Sequence, residues 1–198
     1  TFYLLHKTFK AKSGQTVLFH AAAGGVGQIF CQWAKSLGCT VIGTVGSDEK
    51  IEIAKAYGCS HVINYNKYDF QKEVMKITSD EGLPVVYDGV GKVTMEKSLM
   101  SLKMKGTFVS FGNASGKLDP IDVGKLIAPK GLFLTRPSIA HYTATRDELD
   151  EAASKLFEMV KSQKVTVKLF KKYSLNDVVK AHKDLEGRKI IGPAIITP

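Results

Sequence analysis

The stretch Thr16–Gly27, TVLFHAAAGGVG, decides the fold of this chain. Its first residues, Thr16–His20, are rich in β-branched and aromatic types, which predicts a strand. A glycine-rich turn follows, and Gln28–Leu37 then carries apolar side chains at the spacing of an amphipathic helix. A strand, a glycine turn and a helix in this order are the context in which glycines predict a dinucleotide-binding site.

The glycines of the turn have a physical purpose. Gly24 and Gly27 occupy the second and third places of the G-x-G-x-x-G fingerprint, and Ala22 stands at the first. A backbone without Cβ can approach a pyrophosphate closely, and a helix N-terminus offers free N–H groups and a positive dipole end. The pattern therefore predicts a pyrophosphate site. A tight strand-to-helix turn without a ligand would use the same residues, and it remains the alternative.

The composition is that of a soluble globular domain. The 198 residues are 44% hydrophobic and 24% charged, and the sequence contains no apolar run long enough to span a membrane. The first residues lack the pattern of a cleavable secretory leader. Cys31, Cys39 and Cys59 form no CxxC pair and offer no zinc-ligand spacing. We therefore expect one sizeable domain in the cytoplasm, with reduced cysteines and no metal.

The chain is basic. Its 28 Lys and Arg residues outnumber its 19 Asp and Glu residues, which gives a net charge of +9. Such a charge suits ligands that carry phosphate, and it permits nucleic-acid binding. The lysines are scattered along the chain, however, which favours an ordinary solvated surface.

Strand and helix patterns alternate along the first two thirds of the chain. After the first unit, the predicted strands are Thr40–Val45, His61–Tyr65, Val85–Tyr87, Thr107–Phe111 and Leu132–Thr135. The predicted helices between them are Asp48–Tyr57, Phe70–Thr78 and Val93–Leu102. This alternation predicts an α/β fold with a doubly wound parallel sheet.

The two ends of the chain carry further elements. Thr1–Lys10 has a helical pattern, and Thr145 with Glu148 predicts a capping box that opens a long helix. The remaining C-terminal predictions are a strand over Val165–Leu169, a helix over Leu175–Leu185 and an extended segment over Ile190–Ile196.

The end of the second predicted strand bears on which dinucleotide binds. Domains of this kind that bind NAD carry an acidic side chain there, which accepts hydrogen bonds from the ribose 2′-OH. That place falls at Gly46 and Ser47, neither of which is acidic. Lys50, one helical turn further on, would supply positive charge for a 2′-phosphate. Asp48 and Glu49 put negative charge nearby, which counts against a phosphate, although carboxylates also favour the first turn of a helix. The balance predicts NADP rather than NAD.

Seven motifs follow one another in a familiar order: AAAGGVG, GTVGSDEK, INY, VVYDGVG, VSFGNASG, LTRPS and LEGRKIIGPAIITP. In this order the chain resembles the quinone oxidoreductases related to zeta-crystallin, which are zinc-free members of the medium-chain dehydrogenase/reductase superfamily. The resemblance covers nearly the whole chain and implies a Rossmann-like domain that binds NADPH. Members of this group begin with a GroES-like domain that this sequence lacks, so the resemblance implies the C-terminal part of a longer enzyme.

The resemblance also implies a division of the chain and a set of cofactor contacts. A linking helix and lead-in would occupy residues 1–15, the core dinucleotide-binding domain 16–140, and completing helices and strands 141–198. The contacts with the pyrophosphate would come from the turn of Gly24, Gly25, Val26 and Gly27. Those with the adenosine end and its 2′-phosphate would come from Gly46, Ser47, Lys50, Tyr65 and Arg188. Those with the ribose and nicotinamide would come from Tyr3, Val90, Gly91, Phe111, Gly112, Asn113, Ser115, Pro137, Ser138 and Ile139.

The activity that the resemblance implies is hydride transfer from NADPH to a quinone. The sequence assigns no catalytic residue, because its histidines stand singly in different elements and quinone reduction needs little proton machinery. Two alternatives remain open. One is another zinc-free, NADPH-dependent reductase that acts on an activated alkene such as an enal. The other is a nucleotide- or RNA-binding module without catalysis.

The resemblance further implies a homodimer. Members of the group commonly pair through the sheet edge of the cofactor domain, and Leu132–Thr135 is the apolar strand that we expect at that edge.

Overall fold

The computed structural model describes residues 1–187 and 189–198. Its main sheet contains six parallel strands: β1 (Thr16–Phe19), β2 (Thr40–Val45), β3 (His61–Asn64), β4 (Leu83–Asp88), β5 (Leu102–Ser110) and β6 (Phe133–Thr135). Their order across the sheet is β3-β2-β1-β4-β5-β6. This is the strand order of dinucleotide-binding domains, and it confirms the predicted doubly wound fold.

Six α-helices and a small second sheet complete the described part of the chain. The helices are α1 (Gly25–Ser36), α2 (Glu49–Ala56), α3 (Phe70–Ile77), α4 (Met95–Met100), α5 (Arg146–Lys161) and α6 (Val178–Glu186). The second sheet pairs β7 (Lys171–Ser174) with β8 (Ala194–Thr197) in parallel. No helix among the described residues is long and apolar enough to cross a membrane.

Alternation along the strands creates two hydrophobic layers, one on each face of the main sheet. On β1, Val17 and Phe19 pack with Phe30 of α1, whereas Leu18 between them packs with Phe70 of α3. Side chains of a strand point alternately to opposite faces, so β1 is buried on both sides of the sheet. This explains why β1 reads as a nearly continuous apolar run.

The sequence predictions for the two ends of the chain are confirmed in part. Phe2 and Tyr3 are helical and lead into a single π-helical turn over Leu4–Thr8, so the first helix is shorter than expected. The capping box of Thr145 and Glu148 is confirmed, with the Glu148 amide donating to Thr145 Oγ1 at 3.3 Å and the Thr145 amide donating to Glu148 Oε2 at 3.1 Å.

One predicted strand is wrong. Val165–Leu169 is not a strand, and the strand of this region is β7, which begins at Lys171. The reason is a side-chain contact that sequence periodicity does not reveal. Gln32 on α1 accepts a hydrogen bond from the Thr166 amide at 2.9 Å and donates to the Thr166 carbonyl at 3.0 Å. These bonds use the backbone groups that a β-ladder would need.

The predicted helix Val93–Leu102 is also too long. The helix α4 ends at Met100, and Leu102 already pairs with Leu83 as the first residue of β5. That strand therefore begins five residues before the predicted Thr107, and Lys105 within it has a positive φ of 57°. The strand pairing prevailed over an apolar pattern that continues the helix.

Candidate functional site

The topology gathers the predicted site residues at one edge of the main sheet. This edge is formed by the carboxyl ends of the parallel strands, where open α/β sheets bind their ligands. The glycine turn follows β1, Gly46 and Ser47 follow β2, and Tyr65 follows β3. Lys50 lies in α2, and Tyr3 lies in the N-terminal segment. The loops after β4, β5 and β6 supply nine more residues: Val90, Gly91, Phe111, Gly112, Asn113, Ser115, Pro137, Ser138 and Ile139. Arg188 lies outside the described residues.

The glycine turn is shaped by close backbone packing on one side and space on the other. A Cβ on Gly27 would lie 2.5 Å from the carbonyl oxygen of Ala22 and 2.6 Å from that of Ala21, so only glycine fits there. A Cβ on Gly25 would meet no described atom within 4 Å outside its own helix and chain neighbours. The turn therefore leaves an open approach to the first residue of α1.

The N-terminus of α1 is suited to an anion. Gly24 precedes the helix in an extended conformation, and among the described residues no side chain caps this end. The first turn of α1 also lacks an acidic residue. The first amide N–H groups of a helix have no partner within the helix, and the dipole makes this end positive. An anionic group could therefore accept hydrogen bonds from these amides.

The adenosine end predicted from the sequence has a compact geometry. A Cβ on Gly46 would lie 2.9 Å from the hydroxyl oxygen of Tyr65, so this hydroxyl reaches directly over residue 46. The side-chain amide of Asn66 donates to the Gly46 carbonyl at 2.7 Å. Lys50 lies in the first turn of α2, half-buried. The structure thus brings three of the predicted residues, Gly46, Lys50 and Tyr65, to the ends of β2 and β3.

Asp48 is held by two partners, the last residue of β3 and a lysine of the loop that follows. The side-chain amide of Asn64 donates to Asp48 Oδ1 at 2.7 Å, and the ammonium group of Lys67 donates to Oδ2. The hydrogen bond from Lys67, with that from Asn64, holds the pKa of the Asp48 carboxyl below its usual range. The carboxylate is therefore ionised at neutral pH and paired with a cation.

A buried carboxylate shapes the loop after β4. Asp88 has no solvent exposure, and its Oδ1 accepts hydrogen bonds from the amides of Val90 at 2.8 Å and Gly91 at 2.9 Å. Its Oδ2 accepts from Thr94 Oγ1 at 2.7 Å. These hydrogen bonds make Asp88 the cap of its own turn.

The loops after β4 and β5 are interlocked. Ser115 Oγ donates to the Val90 carbonyl at 2.8 Å, and the Ser115 amide donates to the same oxygen at 2.8 Å. A Cβ on Gly112 would lie 2.6 Å from the carbonyl oxygen of Gly89, so the two backbones touch. These contacts fix Val90, Gly112 and Ser115 relative to each other. A ligand at this edge would therefore meet one rigid surface.

His20, just before the glycine turn, connects the end of β1 to β2 and α4 through its side chain. The ring is fully buried, with Nδ1 2.8 Å from Thr44 Oγ1 and Nε2 2.9 Å from Ser98 Oγ. Burial lowers the pKa of His20, and the Asp88 carboxylate, with Oδ2 4.0 Å from Nε2, opposes that effect in part. The imidazole is thus neutral at pH 7, and its hydrogen bonds go to Thr44 and Ser98.

An apolar cavity lies beside the glycine turn. It has a volume of about 550 Å³, and Tyr3, Gly25, Val26 and Ile139 of the predicted site line it. The Tyr3 ring stacks on Tyr142, with 4.9 Å between the ring centroids. Pro137 is buried, whereas Ser138 and Ile139 are exposed at the end of the loop after β6.

Sequence reasoning missed several residues of this edge. Asn64, Asn66 and Lys67 were not singled out, although their side chains engage Gly46 and Asp48. The motif INYNK contains them, but nothing in its pattern says that the loop after β3 docks on the loop after β2. Because β2 and β3 pair in parallel, the loops that follow them lie at the same edge of the sheet. A prediction of that pairing could have identified these residues as neighbours of Gly46 and Asp48.

Comparison with known proteins identifies the family. Residues 25–159 match the family model described as zinc-binding dehydrogenase. The chain belongs to this family. It is 46% identical to a 2-haloacrylate reductase of Burkholderia sp over 99% of the chain and 59% of that protein. It is 45% identical to quinone oxidoreductase 1 of Escherichia coli strain K12 over 100% of the chain and 61% of that protein.

A solved structure of a family member agrees with the fold. The crystal structure of Escherichia coli quinone oxidoreductase complexed with NADPH superimposes with a TM-score of 0.96 and 44% identity. The match covers 100% of this chain and 61% of that one, so the chain spans about three fifths of the length of its relatives. The family resemblance inferred from the seven motifs is confirmed.

The family name refers to zinc, but the described residues do not fit this metal. Nowhere in residues 1–187 and 189–198 do three or more His, Cys, Asp or Glu side chains come together as a metal site. Zinc sites in proteins use three or four such ligands.

Proposed function

We propose that this chain is the cofactor-binding part of an NADPH-dependent quinone reductase. One observation carries the proposal: the uncapped, open N-terminus of α1 lies at the same sheet edge as the Gly46–Tyr65 contact. An extended dinucleotide needs both features, one for its pyrophosphate and one for its adenosine end. The relationship to quinone oxidoreductases supports the choice of cofactor and substrate.

The residues of the glycine turn would bind and orient the pyrophosphate. The amides of Gly25 and Val26 stand at the helix N-terminus, where partial positive charge favours an anion. The open space above Gly25 lets an oxygen approach the backbone. A larger side chain at residue 25 would fill that space.

Lys50 and the Tyr65 hydroxyl would recognise the 2′-phosphate. Gly46 and Ser47 place no carboxylate at the end of β2, where an NAD site would carry one. A lysine and a phenol both donate hydrogen bonds to phosphate oxygens. The preference for NADPH over NADH would follow from these donors.

The interlocked loops after β4 and β5 would hold the ribose and nicotinamide. The cofactor supplies the hydride, and the protein supplies position and exclusion of water. Val90, Gly91 and Ser115 are fixed by the Asp88 carboxylate and by each other, which gives the cofactor a preformed surface. Water can protonate the product oxyanions of a quinone, so the reaction needs no dedicated acid.

An alternative substrate class is an activated alkene. The 46% identity to a 2-haloacrylate reductase favours it specifically. Steady-state oxidation of NADPH by the purified protein, with p-benzoquinone in one series and 2-chloroacrylate in the other, separates the two classes. A kcat/KM at least about tenfold higher for the quinone supports the proposal, and the reverse order supports the alkene.

We also propose that the protein is a cytoplasmic homodimer that pairs through β6. Phe133 and Leu134 of this edge strand are exposed, and unpaired apolar edges favour association. The three cysteines are free thiols, which supports a reducing compartment. Light scattering coupled to size exclusion should give twice the monomer mass, and Leu134→Lys should lower it to the monomer. A wild-type monomer at micromolar concentration would contradict the dimer.

A further inference from the structure

The predicted phosphate site has an unfavourable neighbour. Asp48 lies directly after Ser47 and two residues before Lys50, and its side chain is 53% exposed. A carboxylate this close to a 2′-phosphate repels it, because like charges interact over about 10 Å at ordinary ionic strength. A site that binds NADPH needs a way to offset this charge.

The loop after β3 supplies that offset. Lys67 donates to one oxygen of the Asp48 carboxylate, and the buried Asn64 donates to the other at 2.7 Å. Asn64 is itself held, since its Oδ1 accepts a hydrogen bond from the Asn66 amide at 3.1 Å. Asn66 in turn donates to the Gly46 carbonyl. The segment is thus tied to the end of β2, which keeps Lys67 beside Asp48.

The local charge balance depends on Lys67. Asp48, Glu49, Lys50 and Lys67 together carry no net charge, and removal of Lys67 would leave a net negative charge beside the phosphate site. An NADH molecule, which lacks the 2′-phosphate, would sense this change far less. Removal of Lys67 would therefore change the difference in affinity between the two cofactors more than binding in general.

We propose that Lys67 is a specificity-determining residue that masks the charge of Asp48 and so keeps the site selective for a 2′-phosphorylated dinucleotide. The inference rests on the proposed function, because it concerns the cofactor preference of that same site. Lys67 acts through Asp48, and neither side chain needs to touch the cofactor.

The test is a pair of titrations on four proteins: the wild type, Lys67→Met, Asp48→Asn and the double variant. Dissociation constants for NADPH and NADH are measured by fluorescence at low and at physiological ionic strength. Lys67→Met should weaken NADPH about three- to tenfold and NADH less than about twofold. Adding Asp48→Asn to Lys67→Met should restore NADPH binding to within about twofold of the wild type.

A matched control comes from the next helix. Lys76 forms an exposed ion pair with Glu73 at 2.7 Å, far along the chain from Asp48. Lys76→Met removes the same charge from the protein and should change neither dissociation constant. Because the masking is electrostatic, the loss caused by Lys67→Met should shrink as salt is raised.

Three results would overturn the inference, and they differ from one another. Equal weakening of NADPH and NADH by Lys67→Met would mean that Lys67 only supports the loop. Failure of Asp48→Asn to restore binding in the double variant would mean that the Asp48 charge is not what Lys67 offsets. If the wild type itself fails to prefer NADPH, the proposed function is wrong and this inference is wrong with it.

Discussion

The hydroxyl of Tyr65 reaches so closely over Gly46 that a Cβ on residue 46 would lie 2.9 Å from its oxygen. This contact joins the ends of β2 and β3 and places a phenol donor at the predicted adenosine end. Tyr65→Phe should therefore weaken NADPH several-fold and leave NADH nearly unchanged, because only the 2′-phosphate loses a donor. Titration of the wild type and Tyr65→Phe with NADPH and with NADH measures the two losses. An equal loss for both would mean that the ring only packs.

The two glycines at the start of α1 should respond differently to the same added methyl group. Gly27→Ala should lower the free energy of unfolding by about 1–3 kcal/mol, because its Cβ would overlap two carbonyl oxygens. Gly25→Ala should fold normally, because its Cβ enters open space, but it should weaken NADPH about tenfold or more.

Urea unfolding and cofactor titration of both variants separate the two effects. A stable Gly25→Ala variant with unchanged NADPH affinity would contradict the position assigned to the pyrophosphate.

Lys50 should bind the 2′-phosphate of NADPH. Lys50→Ala should weaken NADPH by roughly 1–3 kcal/mol, as expected for a charged hydrogen bond, and NADH far less. Lys55→Ala is the matched control, since Lys55 stands near the other end of α2 and pairs with Glu52 at 2.8 Å. Isothermal titration of both variants checks the pair. Equal losses for NADPH and NADH would remove Lys50 from phosphate recognition.

The buried imidazole of His20 should make stability depend on pH. Burial lowers its pKa in the folded protein, so below about pH 6.5 the unfolded chain binds the proton more readily. This contribution to stability is constant above pH 6.5 and is lost as the pH falls, by at most about 1.4 kcal/mol per pH unit.

Urea unfolding between pH 7.5 and 5.5 measures this slope. The buried Thr1 amino group and His6 also have lowered pKa values, so His20→Gln should make the slope shallower without abolishing it. Parallel slopes for the wild type and His20→Gln would mean that His20 becomes protonated without cost.

Much of this fold could be predicted from residue patterns. The run TVLFHAAAGGVG predicted the first strand and the turn, and the apolar spacing of Gln28–Leu37 predicted the helix. Periodicity and glycine placement are local signals, which is why these predictions were possible. The prediction of a strand at Val165–Leu169 is wrong, because a side chain distant in sequence, Gln32, binds the Thr166 backbone. Local propensity carries no information about such a contact.

Part of the candidate site could likewise be predicted from the sequence, and part of it could not. The glycines and Lys50 were predicted because the topology of the fold puts fixed positions at the sheet edge. The masking of Asp48 by Lys67 could not be predicted, because it depends on how one loop docks on its neighbour. The position of Asp88 as the anchor of its own turn likewise needed the hydrogen bonds to Val90 and Gly91.

We infer that this sheet edge binds a 2′-phosphorylated dinucleotide. The most direct test is a fluorescence titration of the purified protein with NADPH and, in parallel, NADH. We expect saturable binding of both cofactors, with NADPH tighter by about tenfold or more, since Lys50 and Tyr65 would act on the 2′-phosphate. Equal affinities, or no saturable binding of either cofactor while RNA binds with a steep salt dependence, would contradict it.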